Sequence, residues 1–266
     1  MITPHDAIVH TIPDKCRRCY ACIRNCPARA IKVQEGQAQV IKERCIGCGT
    51  CTQVCSQKAK HVKSDVGIVW QLLSEKVPVI VIVSSSFPAA FPDISAGQLV
   101  TALKKLGFTE VMEVAFGAEL VARAYRNLIL QDGERQFILT CCPAVVDFIE
   151  KFYPQLISLA APIVSPMVAM GRVLKRKYNP RAKVVYIGAC IAKKIEAKSE
   201  AVGNVIDAVL TFVELKEMLA FKEIILPEQE ESDFSGPKAH LGRMYAVPGV
   251  LLKMANLAPD VMKNDV

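Results

Sequence analysis

The feature that most narrows the fold of this 266-residue chain is a cysteine pattern written twice near its start. Cys16-x-x-Cys19-x-x-Cys22-x-x-x-Cys26 recurs 29 residues later as Cys45-x-x-Cys48-x-x-Cys51-x-x-x-Cys55. Eight of the eleven cysteines fall in this stretch, and the others are Cys141, Cys142 and Cys190. The first residues contain no apolar signal-peptide core, so such a cluster points to metal or redox chemistry before disulfides. Cysteines three apart wrap a short chain around a compact centre, and the small residues Ala21, Gly47 and Gly49 permit close backbone approach. Two quartets of this spacing do not match the paired Cys-x-x-Cys ligands of structural zinc.

The double run resembles the two-cluster bacterial ferredoxins, in which the fourth cysteine of each run ligates the other run's [4Fe–4S] cluster. The resemblance implies one cluster on Cys16, Cys19, Cys22 and Cys55, and a second on Cys45, Cys48, Cys51 and Cys26. Pro27 closes the first loop, and Ser56 stands at the equivalent place in the second. Between the runs, Ala30–Val33 and Gln39–Ile41 read as strands of a hairpin turning near Gly36. An α+β ferredoxin-like domain is expected over residues 1–66.

With 52% hydrophobic and 22% charged residues, the chain can build ordinary buried cores. The longest apolar stretch, Val77 to Val83, is broken by Pro78 and falls far short of the ~20 residues of a membrane helix. A cytoplasmic protein without a membrane partner is expected. The net charge of +7 is spread along the chain with no nucleic-acid motif, and anionic clusters would offset part of it, so no nucleic-acid partner is expected.

Over residues 76–266 strand and helix signals alternate. Strands are expected at Pro78–Ser84, Glu110–Val114, Phe137–Thr140, Val184–Ile187 and Val205–Thr211. Helices are expected at Ala96–Leu106, Ala118–Leu130, Ala144–Phe152, Met167–Tyr178 and Val213–Phe221. This alternation implies an α/β domain with parallel sheets flanked by helices, whose sites collect beyond the C-terminal strand ends. Cys141, Cys142 and Cys190 all follow predicted strands.

At these cysteines the chain resembles the [FeFe] hydrogenases. Thr140-Cys141-Cys142-Pro143 is similar to that family's Thr-Ser-Cys-Cys-Pro loop, and Cys190-Ile191-Ala192-Lys193-Lys194-Ile195-Glu196 to its Cys-x-x-Lys-x-x-Glu. Phe116-Gly117-Ala118-Glu119 and Ser165-Pro166 resemble flanking segments. The resemblance implies that Cys142 and Cys190 ligate the cubane of an active-site H-cluster, a [4Fe–4S] joined to a di-iron unit. It implies Cys141 as a proton donor, Lys193 as a donor to an iron-bound cyanide, and Glu196 and Ser165 as relay members. Read without the resemblance, the three cysteines are ordinary buried thiols, and Lys193 with Glu196 is an exposed i,i+3 pair. His5, His10, His61 and His240 show no metal-ligand spacing, and Trp70 and the phenylalanines read as core.

The sequence also departs from the family. Its third signature, with two more cysteines, has no counterpart after Cys190, so the ligand set for an H-cluster is incomplete in this chain. The tryptophan after Cys-Cys-Pro-x becomes Val145, the methionine before Pro-Cys becomes Gly188, and Ala124 and Tyr125 stand where catalytic members carry carboxylates. These changes fit the sensory or regulatory branch. The expected function is an iron–sulfur electron-transfer protein with two [4Fe–4S] clusters, fused to an incomplete hydrogenase-like domain in an anaerobic setting. The alternative is the N-terminal part of a sensing or catalytic hydrogenase. A redox protein partner is implied by either, and a signalling partner by the sensory reading.

Overall fold

The computed structural model describes residues 7–132 and 135–256. In the cysteine-rich region β1 (Val9–Thr11) pairs with β4 (Lys60–Val62), and β2 (Ile31–Gln34) with β3 (Gln37–Val40), both antiparallel. The one-turn helices α1 (Ala21–Arg24) and α2 (Thr50–Gln53) lie within the two cysteine runs and carry Cys22 and Cys51. Glu35 and Gly36 both take positive φ, 51° and 72°, the pair that a two-residue hairpin turn requires. The hairpin therefore turns where the sequence places it. The β1–β4 pairing is new: three-residue strands carry too little periodicity to be read alone.

Helix α3 (Val66–Ser74) leads out of this region. There follow β5 (Val79–Val83), α4 (Phe87–Ala90), α5 (Ala96–Leu106), β6 (Glu110–Glu113), α6 (Val114–Gln131), α7 (Pro143–Phe152) and α8 (Pro166–Val173). Then come β7 (Lys183–Gly188), α9 (Lys193–Glu196), β8 (Ala208–Thr211), α10 (Phe212–Phe221) and α11 (Val250–Met254). Strands β5 to β8 form one parallel sheet in the order β6-β5-β7-β8. Every residue of β5 is buried, as a central parallel strand covered on both faces must be. Val79, Val81 and Val83 join Leu99 and Leu103 of α5 and Leu215 of α10. Ile80 and Ile82 face the other way, into Met112, Met167, Met170 and Leu174. The period of two along the strand divides the core into two layers. Helix α5 opens on a Ser95–Gln98 capping box and stops at Gly107, whose φ of 111° suits only glycine.

The structure corrects several expected elements. Phe137–Thr140 is not a ladder strand; Ile138 makes only an isolated bridge to Ala160. Helix α6 begins four residues before Ala118, because α8 packs against its first turns. A Cβ at Gly117 would lie 2.4 Å from the Pro166 carbonyl oxygen. Helix α8 ends at Val173, and Leu174–Tyr178 continues as a π-helical turn. Strand β8 starts at Ala208 rather than Val205, since Asp207 bridges Lys175 and Lys183 and accepts the Val184 N–H.

A buried ion group ties the two regions together. Lys194, fully buried, donates to the Val209 carbonyl at 2.6 Å and to Glu214 at 2.9 Å, with Asp65 at 3.6 Å. Asp65, just ahead of α3, donates its N–H to Glu214 and accepts that of Val209. Burial pushes the Glu214 carboxyl up, but the Lys194 ammonium and the Thr211 hydrogen bonds outweigh it and hold it below the usual range. Lys194→Met should cost about 3–5 kcal/mol in chemical denaturation, because two buried carboxylates lose their cation. The stability contributed by a lowered carboxyl is complete above its unfolded pKa and is lost as pH falls through the folded value. The gap between wild type and variant should therefore close on acidification.

Candidate metal centres

The two cysteine runs share one backbone. Residues of positive φ occur in pairs 29 apart: Arg18 with Gly47, Tyr20 with Gly49, and Arg29 with Lys58. Such left-handed residues turn successive N–H groups toward a concavity that suits an anionic group. Non-glycine residues in this region cost about 1–2 kcal/mol each, which the first run bears at Arg18 and Tyr20 while the second uses glycine. Each fourth cysteine receives an equivalent bond: the Ala30 N–H donates to Cys26 Sγ and the Ala59 N–H to Cys55 Sγ, both at 3.2 Å. Replacement of Pro27 by Ser56 therefore leaves the loop geometry unchanged.

The cysteines line two small cavities of equal size. One is lined by Cys16, Cys19, Cys22 and Cys55, the other by Cys45, Cys48, Cys51 and Cys26. Each holds three cysteines of one run and the fourth of the other. Among the described residues no three His, Cys, Asp or Glu side chains converge on a point as ligands of a single ion would. The thiols stand around a space, the arrangement that a polynuclear group fits, with inward N–H groups for its sulfides. Burial pushes the Cys22 and Cys45 thiols up and that of Cys51 up to about 12, with Lys60 pulling Cys22 and Cys51 the other way. Binding iron there must release those protons.

The second cavity adjoins the α/β region. Cys26 and Cys45 pack with Ile46, Ala144, Ala192 and Cys190. Lys151 of α7 donates to the Cys45 carbonyl at 2.7 Å, and Arg44 lies over the Phe152 ring. A Cβ on Gly47 would come within 2.7 Å of Ile195 Cδ1 and 3.2 Å of Ala192 Cα. This quartet is thus the inner one and the Cys16 quartet the outer.

Beyond the C-terminal strand ends the structure gathers the other predicted residues only in part. Cys142, exposed, precedes α7; Cys190, half-buried, follows β7. Cys141 packs instead beside Tyr125 and Tyr245. Ser165 and Glu196 line one apolar cavity with Ile46, Thr140, Pro143 and Ala192, whereas none of the three cysteines lines it. The Ser165 hydroxyl is buried without a hydrogen-bond partner among the described residues. Lys193 and Glu196 bind each other at 2.7 Å as a buried pair, not an exposed one, because the short α9 is enclosed by its neighbours. Tyr125 accepts the Thr140 N–H at 2.8 Å and thereby holds the Cys141 loop. Gly188 replaces the family's methionine beside Tyr186, whose hydroxyl would lie 2.4 Å from any Cβ there.

Two family models match the chain. Residues 8–56 fit the 4Fe-4S dicluster domain, and residues 77–265 fit the iron only hydrogenase large subunit, C-terminal domain. The chain belongs to the iron-only hydrogenase large-subunit family. It is 28% identical over 223 residues to the NADP-reducing hydrogenase subunit HndD of Solidesulfovibrio fructosivorans, covering 73% of this chain and 38% of that protein. It is 29% identical over 190 residues to iron hydrogenase 1 of Clostridium pasteurianum, covering 63% and 33%. The chain therefore spans little more than a third of these relatives. An apo [FeFe]-hydrogenase from Chlamydomonas reinhardtii superposes with a TM-score of 0.61 at 23% identity, over 73% of this chain and 58% of that one, a likeness of fold. The two iron–sulfur cubanes of the dicluster domain are thus shown together with the hydrogenase-like α/β domain. No helix among the described residues is long and apolar enough to cross a membrane.

Sequence reading missed Lys60, Lys151, Lys194 and Tyr245. Lys60 alone had a signal: aligning the repeat places it opposite Ile31. The Gly47 contact is testable. Gly47→Ala should destabilise the protein by about 1–2 kcal/mol for its left-handed φ and by a further ~1–3 kcal/mol for overpacking against Ile195 and Ala192. In thermal unfolding followed by cluster absorbance, colour should be lost at a lower temperature than in wild type.

Proposed function

We propose that this hydrogenase-family chain conducts electrons between a redox protein and its α/β domain through two [4Fe–4S] clusters. The outer cluster is held by Cys16, Cys19, Cys22 and Cys55, the inner by Cys45, Cys48, Cys51 and Cys26. The observation that carries this reading is the crossed composition of the two cavities, together with the inner one's contact with the Cys190 loop. Bound cubanes supply reversible one-electron chemistry. The protein's own part is to present four thiolates, donate N–H groups to Cys26 and Cys55, and exclude water behind Ala30 and Ala59.

Toward an H-cluster the chain offers Cys142 and Cys190 as thiolate ligands and Cys141, Lys193, Glu196 and Ser165 as polar groups, of which Ser165 and Glu196 line one cavity. The closed Lys193–Glu196 ion pair speaks against either side chain being free for the family's role in this conformation. Turnover at this site is accordingly not part of the proposed function.

Anaerobically prepared protein supplied with hydrogenase maturation factors should hold about 8 iron atoms per chain, two cubanes' worth. About 14, the family's full set, would bring the hydrogenase reading forward instead. Cys55→Ser should disturb the outer cluster and Cys26→Ser the inner one. Electron paramagnetic resonance showing both clusters intact in either variant would refute the crossed ligation.

A further inference from the structure

The 29-residue repeat gives each cluster cavity the same backbone but not the same wall. In the inner half, Ile31 of β2 pairs with Val40 of β3, and both line the cavity. The residues 29 positions away are Lys60 and Thr11, which pair across β4 and β1 and line the outer cavity. An apolar pair on one side thus corresponds to a buried ammonium and a hydroxyl on the other. Lys60 is 7% exposed, and its Nζ donates to the Ala38 carbonyl at 2.7 Å and to Thr11 Oγ1 at 2.6 Å. Thr11 Oγ1 also bonds the Ala38 carbonyl. Among the described residues no carboxylate pairs with it, so its positive charge stands unneutralised in the wall of the outer cavity. Arg17 and Arg18, both exposed, line the outer cavity as well, and no cationic side chain lines the inner one.

We infer that Lys60 sets the two clusters at different potentials, making the outer cluster the better electron acceptor. This rests on the two-cluster reading above. Reduction adds one negative charge to a cubane that is already anionic with its four thiolates. A buried cation beside it therefore favours the reduced form, and the low local dielectric keeps that attraction strong. Lys60 also acts on Cys51 of the inner quartet, across the shared boundary where Cys22, Cys26 and Cys51 pack. Its direct place in the outer wall makes the outer effect the larger. When the chain holds one electron, it passes from the inner cluster, which returns to its oxidised state, to the outer cluster, which is reduced. The pair thereby draws electrons away from the α/β domain toward the surface, where an oxidising redox protein collects them.

The test is a potentiometric titration of both clusters by electron paramagnetic resonance in wild type, Lys60→Met and Lys60→Arg. Two midpoints are expected in wild type. Lys60→Met should lower the higher one by a tenfold or greater change in its reduction constant, about 59 mV for one electron, and the lower one by less. Lys60→Arg, which keeps the charge, should retain the separation. Should Lys60→Met fail to fold, the double substitution Thr11→Val with Lys60→Ile copies the Val40–Ile31 wall that the inner half already packs, and should draw the midpoints together. Iron content is measured on the same samples. Fewer than about 8 iron atoms in wild type would sink the two-cluster reading itself. A full complement with a separation unmoved by removing the charge would overturn the role of Lys60 alone.

Discussion

The close approach of two backbones at Gly47 governs how this molecule can work. The second cysteine loop meets the turn before α9 with no room for a side chain, so the inner quartet lies against the Cys190 loop. Because glycine there also takes a left-handed φ of 64°, one residue satisfies both the loop that embraces a cluster and the contact that joins it to the α/β domain. Ile46, its neighbour, faces the inner quartet and also lines the cavity that holds Ser165 and Glu196. The inner cysteine quartet and the cavity holding Ser165 and Glu196 therefore share Ile46 as a common wall.

Around that contact, polar groups fix what apolar packing leaves free. Lys194 binds Glu214 and Asp65 behind the sheet, and Lys151 caps the Cys45 carbonyl in front of it. Hydrophobic layers on either side of β5 would tolerate sliding, but a buried ammonium between two carboxylates holds a single register. The same economy appears at α6, where Glu113 pairs with Arg243 through both carboxylate oxygens and Glu119 accepts the N–H groups of His240 and Gly242. These bonds hold the segment carrying Tyr245 over Cys141.

The hydrogenase-like site shows a family framework with altered contents. Tyr125, buried in α6, commits its hydroxyl to the Thr140 N–H and side chain. Burial pushes the hydroxyls of Tyr125, Tyr186 and Tyr245 above the usual phenol range, so all three are neutral at physiological pH. Bonded to the Thr140 backbone, the Tyr125 phenol orients the Cys141 loop. Tyr186 fills the space beside Gly188 where the family has methionine.

Much of this was legible in the sequence, for reasons that are local. Cysteine spacing determines which thiols one loop can present, and the 29-residue repeat determines that there are two such loops. The Val-Ile-Val-Ile-Val run could only be a strand covered on both faces, and the helical spacing over Ala96–Leu106 delimited α5. The rest depended on partners distant in the chain. Whether Phe137–Thr140 joins a sheet depends on what lies beside it, and α6 starts early because α8 presses on Gly117. Lys193 and Glu196 read as a surface pair because i,i+3 spacing says nothing of burial. Lys60 drew no reading from the sequence, because only the return of β4 to pair with β1 encloses it. Sequence alone determined the two cysteine runs and the fold class, because both follow from spacing and periodicity along a few residues. Tertiary structure decided which cluster lies inward and which charges are desolvated, because those follow from contacts between segments far apart in the chain.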